Sequence, residues 1–122
     1  MTQLSPESEN EAYCYLTTTG RKTGNPHEIE IWFAVSDTVP GILLLMAGAR
    51  ERSDWVRNLM QQPKVTLRIA GTTHEAIARV IKPTDSVDTE ARRLLVAKYG
   101  TPQKPLTDWG RDALPVAITL SK

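Results

Sequence analysis

The sequence predicts an α+β fold, mainly β, in which an antiparallel barrel carries two or three flanking helices. Three observations lead there. Short runs alternating apolar and polar residues come in pairs joined by turn-forming residues. Helix-like segments interrupt the pairs, an arrangement that does not give the parallel sheet of a Rossmann fold. The chain has 122 residues and 40% hydrophobic content, enough for one core and too little for two domains.

Residues 13–18 form the first strand. Over residues 27–35, Ile29, Ile31 and Phe33 alternate with Glu28 and Glu30, as a half-buried strand requires. The SDTVPG stretch at 36–41 turns the chain into ILLLM at 42–46, an apolar run suited to a strand covered on both faces. Ser53 caps a short helix over 54–62, with Trp55 and Leu59 on one face and Pro63 as its stop. Residues 64–70 alternate again, Gly71, Thr72 and Thr73 turn the chain, and a second alternating run ends near Ile81. Pro83 and Thr84 open a longer helix with Asp85, Asp88 and Glu90 near its positive end. Val87, Ala91, Leu94 and Leu95 form its apolar stripe, and it ends near Tyr99 and Gly100. Residues 101–112, with Pro102, Pro105 and Gly110, read as a loop, and residues 114–120 as a last strand led by Pro115.

Composition narrows the function. A net charge of +1 argues against nucleic acid as the main partner. Cys14 is the single cysteine, read as a small buried residue, which excludes an intramolecular disulfide and a cysteine-based zinc site and suits a reducing cytoplasm. Residues 1–10 carry Glu7 and Glu9, do not read as a signal peptide, and are expected to be a flexible lead into a single domain spanning 1–122. The longest apolar stretch, 41–49, is too short for a membrane-spanning helix. No Ser/His/Asp or Cys/His arrangement stands out, and no metal site is expected. His27 and His74 are candidate acid–base groups by residue type, but no carboxylate is positioned by sequence to orient either, and His74 is expected to face solvent.

The most informative segment is LTTTGRKTGNP at 16–26. Gly20 and Gly24 let backbone amides approach a ligand, Thr19 and Thr23 add hydroxyl donors, and Arg21 or Lys22 can neutralise phosphate. It is not a Walker loop, because the required spacer and following helix are missing. A solvated hairpin turn would hold the same residues.

TTTGRKTGNP followed by an alternating strand resembles the signature of the deazaflavin-dependent nitroreductase family, and DWVRNLMQQPKVTL resembles that family's W-x-x-N-L-x-x-x-P segment. The two stand in the family's order and spacing, and a weaker similarity continues to the final LPVAITL, covering about residues 16–120. The resemblance implies a split β-barrel, coenzyme F420 as cofactor with FMN as the alternative, and a phosphate-bearing tail held at the Gly-Arg-Lys-Thr-Gly turn. Lys22, Thr23 and Gly24 are its first cofactor residues, beside Thr19, Gly20 and Arg21. His27, Glu30, Ile31 and Trp32 would lie along the cofactor groove, with Met46, Ala47, Trp55 and Asn58 on its other side.

Read as residues alone, several of these have structural alternatives. Trp55 is at helical spacing from Leu59, so burial explains it as well as a ligand does, whereas Asn58 is less expected in a core. Trp32 would stack on a tricyclic ring or cover a dimer contact. Arg50 and Arg52, with the amides opening the first helix, would complete an anion pocket or belong to a solvated loop with an Arg–Glu pair.

Two departures from the family pattern matter. Met46 stands where many relatives place a lysine beside the phosphate, which passes that charge to Arg50 or Arg52. Residues 99–109 offer Tyr99, Pro102, Pro105 and Trp109 where nitro-reducing relatives carry several tyrosines, so nitroimidazole reduction is not implied.

The reaction implied is transfer of a hydride from C5 of reduced F420 to an electron-poor small organic substrate. The protein would supply placement and a dry pocket, and solvent, Tyr99 or His27 the proton. An FMN-binding oxidoreductase and a non-catalytic cofactor-binding dimer are the rival readings. A homodimer is common in the wider family, with Trp32 or the sheet edges as its interface.

Overall fold

Along the first strand, Cys14, Leu16 and Thr18 are buried while Tyr15, Thr17 and Thr19 are partly exposed, so the alternation read from sequence becomes an inside and an outside. The computed structural model describes residues 4–121. Its elements are α1 (Pro6–Glu9), β1 (Cys14–Thr19), β2 (Pro26–Ile31), β3 (Ala34–Val35) and β4 (Ile42–Ala47), then a 3-10 turn (Arg50–Arg52), α2 (Asp54–Gln61), β5 (Lys64–Ile69), β6 (Thr72–Val80), α3 (Ser86–Tyr99), α4 (Thr107–Asp112) and β7 (Leu114–Leu120). The strands form one curled sheet in the order β2-β1-β5-β6-β7-β4-β3, every pairing antiparallel. This is the expected mainly β, α+β architecture.

The core has two sides. Leu16, Phe33, Leu43, Leu45, Leu67, Ile69, Val116 and Ile118 fill the barrel, and Leu59 of α2 joins them. Ile42, Leu44 and Ala117 point the other way, against Val87 and Ala91 of α3. All six residues of β4 are therefore buried, which is what the unbroken apolar run signalled.

The strand expected over 27–35 breaks at Trp32 and Phe33. Before the break β2 pairs with β1 at one end of the sheet order, and after it β3 pairs with β4 at the other, so two residues carry the chain from one edge to the other. Side chains serve the backbone at this corner. The Phe33 amide donates to the Tyr99 hydroxyl (3.0 Å), and the Phe33 carbonyl accepts from that hydroxyl (2.9 Å) and from Lys98 Nζ (3.0 Å).

Other boundaries also shift. The turn expected at Gly71, Thr72 and Thr73 is instead Ala70-Gly71, both at positive φ (50° and 80°), with Thr72 and Thr73 already in β6. Residues 101–112 are not all loop, because the last six form α4. Gly110 reads as a breaker in sequence, but a Cβ there would lie 2.5 Å from Val96 Cγ2, so its smallness lets α4 lie close against α3. Ser53 precedes α2 but makes no side-chain cap bond, whereas the Asp85 carboxylate accepts from the Val87 amide at the start of α3. His74 lies on the face of β6 that carries buried Ala76 and Ala78, and is half-buried rather than solvent-facing.

Within the expected flexible lead, Ser5 caps the helical turn α1, Leu4 packs on the barrel core, and Lys98 Nζ bonds the Glu9 carbonyl (3.1 Å). Residues 1–3 of that lead lie outside the described residues. Among the described residues, no helix is long and apolar enough to cross a membrane.

Candidate cofactor cleft

The β1–β2 turn folds over the start of α2 and leaves an open cleft of about 630 Å³ between them. Gly20, Arg21, Lys22, Thr23 and His27 line it from the hairpin, and Asp54, Trp55 and Asn58 from the helix. The turn closes on itself, with the Gly20 amide donating to the Asn25 carbonyl and the Gly24 amide to the Gly20 carbonyl, both at 2.8 Å. Gly24 takes positive φ (78°), and a Cβ on Gly20 would lie 2.7 Å from His27 Nε2, so the imidazole rests on a bare backbone.

Asn58 is the buried polar centre of this arrangement, only 3% exposed. Its Nδ2 donates to Thr18 Oγ1 (3.2 Å), while its Oδ1 accepts from the Arg21 amide (3.2 Å) and from Arg21 Nη1 (2.9 Å). Arg21 Nη2 reaches Asp54 (3.2 Å). The Asn25 amide is taken by Thr23 Oγ1 (3.2 Å). The amides of Lys22 and Thr23 and the Lys22 ammonium have no hydrogen-bond or ion-pair partner among the described residues. A phosphate needs cationic or N–H donors on a concave surface, and these are the uncommitted donors of the cleft. The cleft volume lies in the range of small-molecule sites.

The predicted site residues divide into separate groups. Gly20, Arg21, Lys22, Thr23, His27, Trp55 and Asn58 come together in the cleft. Thr19 and Gly24 border a second cleft of about 420 Å³, shared with Lys64, Thr66 and Glu75. Glu30 accepts from the Tyr15 hydroxyl (2.8 Å), and Ile31 is half-buried against the barrel core. Ala47 is buried with Val56 and Leu114. Arg50 donates to the Asp112 carbonyl (2.8 Å) and sits beside Glu51, and Arg52 is exposed.

Met46 is buried in a cluster with Ala34, Leu95 and Ala113, against which Trp32, Tyr99 and Trp109 pack. Trp32 stacks on Tyr99 (centroids 4.4 Å apart, planes within 5°) and meets Trp109 edge-on. Neither Tyr99 nor Trp32 lines the cleft that holds His27. Burial pushes the Tyr99 hydroxyl up to about 12, and burial also lowers the neighbouring Lys98 ammonium.

Sequence reasoning did not single out Thr18, Asp54 or Glu90. Thr18 and Asp54 complete the Asn58 network, and the i, i+4 spacing of Asp54 and Asn58 is the signal that places both on one helix face. Glu90, read as a partner of the helix dipole, is only 5% exposed. Its carboxylate accepts from the Ser36 and Thr38 hydroxyls and from the Asp37 and Thr38 amides, holding the β3–β4 turn. Among the described residues, no group of three or more His, Cys, Asp or Glu side chains is placed to hold a metal.

A curled antiparallel sheet whose first hairpin and α2 frame a cleft defines a split-barrel protein. The model of the F420H2-dependent quinone reductase family matches residues 6–120, and the chain belongs to that family. The family resemblance read from the motifs is borne out at the level of an F420H2-dependent family, whose description names a quinone where the motif-based name has a nitro compound.

Solved structures share the fold. A conserved hypothetical protein from Mycobacterium tuberculosis superposes with a TM-score of 0.74 at 20% identity, over 100% of this chain and 87% of its own. A structure described as an F420 reductase gives 0.66 at 17%, covering 100% and 97%. The heme storage protein of Vibrio cholerae gives 0.68 at 15%, covering 99% and 92%. No curated protein matches.

Proposed function

We propose that this chain is an F420H2-dependent reductase that delivers a hydride to an electron-poor small organic acceptor of the quinone class, with its cofactor in the cleft between the β1–β2 turn and α2. The observation that carries this reading is the coincidence of the family match over residues 6–120 with uncommitted phosphate donors in the family-like turn. Lys22 and the amides of Lys22 and Thr23 would hold the phosphate. Trp55 and Ile29 offer apolar surface in the same cleft for a ring system. Reduced F420, when bound, supplies the hydride from C5. The residues of the cleft bind and orient, and His27 Nε2 and solvent are the proton sources there. Tyr99 is not assigned this role, because its hydroxyl is committed to the Phe33 backbone.

The test is parallel titration of the purified protein with F420 and FMN, followed by fluorescence, with Lys22→Ala as the comparison. F420 is expected to bind more tightly than FMN, and Lys22→Ala to weaken it by about tenfold, as for one exposed charge-assisted contact. Equal affinity in both proteins would remove the phosphate assignment. Oxidation of F420H2 by benzoquinones and naphthoquinones then reads turnover, and binding without oxidation across that panel would leave a cofactor carrier. We also propose a homodimer. One solved structure of similar fold, at 20% identity, is described as a domain-swapped dimer. Sedimentation of the purified protein reads the state directly.

A further inference from the structure

The W-x-x-N-L resemblance lists Asn58 among cofactor-contacting residues, yet its side chain is buried and both ends are committed within the protein. We propose that Asn58 is a positioning residue: it ties the β1–β2 turn to α2 so that the Lys22 and Thr23 amides and the Lys22 ammonium stand ready for an anion, and Arg21 acts through it rather than on the ligand. This inference rests on the cofactor reading above for its functional half, and on the contacts alone for its structural half.

The geometry gives Asn58 two partners on two segments. Nδ2 holds Thr18, the last inward-facing residue of β1, and Oδ1 holds the Arg21 amide at the first bend of the turn. Without Oδ1 the Arg21 amide would have to find water, and the turn would keep its internal Gly20–Asn25, Gly20–Gly24 and Asn25–Thr23 bonds and, toward α2, only the ion pair of Arg21 with the exposed Asp54 carboxylate. Those internal bonds fix the shape of the loop but not its orientation over the cleft. The bond from Asn58 fixes the orientation. Arg21 adds to the same tether, because its guanidinium grips Oδ1 and the Asp54 carboxylate together. A guanidinium with both ends engaged inside the protein is poorly placed to neutralise phosphate, which assigns that task to Lys22.

The experiment combines affinity with amide exchange. Asn58→Leu, Asn58→Ser, Arg21→Ala, Lys22→Ala and the Asn58→Leu/Arg21→Ala double variant are titrated with F420, and hydrogen exchange is followed over residues 20–25 in each ligand-free protein. Asn58→Leu is expected to raise exchange at Arg21 at least tenfold and weaken F420 binding between tenfold and a hundredfold. Arg21→Ala added to it should change affinity less than threefold, since the two act as one unit. Lys22→Ala should weaken binding without raising exchange at Arg21, whereas Asn58→Leu should move both, which separates loss of a ligand contact from loss of the tether. Asn58→Ser, which is smaller and keeps a hydroxyl, serves where the leucine variant does not fold.

Unchanged exchange in the Asn58 variants would overturn the tether. Raised exchange with affinity within threefold of wild type would overturn its role in binding. Full additivity of the two substitutions would put Arg21 on the ligand and refute the shared action. If wild-type protein binds neither F420 nor FMN, the cofactor reading fails and takes the functional half with it, while the exchange data still decide the tether.

Discussion

Replacing Tyr99 by phenylalanine separates a structural tyrosine from a catalytic one. The hydroxyl has one proton to give, to the carbonyl of Phe33 or of Ala12, each at 2.9 Å, and it accepts from the Phe33 amide at 3.0 Å. In the variant the Phe33 carbonyl keeps Lys98 Nζ and the Ala12 carbonyl is at an exposed contact, so one half-buried N–H is the group left unpaired. An orphaned donor of this kind costs about 1–2 kcal/mol, near the low end for a buried one. For a chain of 122 residues that corresponds to a fall in Tm of about 4–8 °C. The stack of ring 99 on Trp32 needs no hydroxyl and stays. Turnover at 25 °C, well below the melt, is expected to remain within twofold of wild type, because a phenol pushed up to about 12 is a poor acid near neutral pH. Thermal melting followed by circular dichroism and steady-state oxidation of F420H2 read the two quantities independently. An unchanged Tm would refute the corner argument, and a tenfold loss of kcat at full F420 affinity would make Tyr99 the proton donor.

Glu90→Ala removes the acceptor shared by two hydroxyls and two amides of the β3–β4 turn, leaving the Asp37 amide unpaired and the Thr38 amide with Ser36 Oγ alone, and should cost about 1–3 kcal/mol, seen as a lower denaturation midpoint and faster proteolysis within residues 36–41. Gly110→Ala forces a methyl to 2.5 Å from Val96 Cγ2 and should cost about 1–3 kcal/mol, with Val96→Ala restoring part of it in the double variant; an unchanged melt would show that α4 is free to move away. Burial pushes the Cys14 thiol from 9.0 up to about 12, so the unfolded chain releases this proton first and stability should fall as pH rises from about 9 towards 12. Tyr99 adds to the same trend above about 10, and Cys14→Ala should flatten the lower part of that window in pH-dependent urea melts.

What was legible in the sequence is what local pattern encodes. The alternation in residues 14–19 and 64–69 and the continuous apolar run of β4 specify inside and outside without knowledge of the partner strand. The break at Trp32 and Phe33 was not legible, because its cause lies 66 residues away in the Tyr99 hydroxyl. Gly110 misled for a related reason: as a local signal it marks a loop, and only the proximity of Val96 makes it a packing residue. The candidate cleft was legible as a turn and a helix motif but not as a network. The sequence-derived groove joined the turn to Met46 and Trp32, whereas these residues pack with Leu95 and Tyr99 in a separate aromatic cluster.

The cleft's charges sharpen which residue carries an anion. Arg21 is spent on Asp54 and Asn58, and Glu28, which also lines the cleft, pairs with Arg68 at 3.3 Å. Arg50, expected with Arg52 to supply the charge where Met46 stands in place of a lysine, donates to the Asp112 carbonyl. Two cations and two carboxylates in the lining leave no net charge, and Lys22 is the cleft cation with no ion-pair partner among the described residues. On the proposed reading, recognition of a phosphate here would depend less on accumulated charge than on the two backbone amides of Lys22 and Thr23 beside one ammonium. Amides keep their donors at every pH and are little screened by salt, but they are useful only if the backbone does not move. A site built this way would put its selectivity into the rigidity of the turn, a task suited to a buried asparagine that accepts from the Arg21 amide rather than to another surface cation.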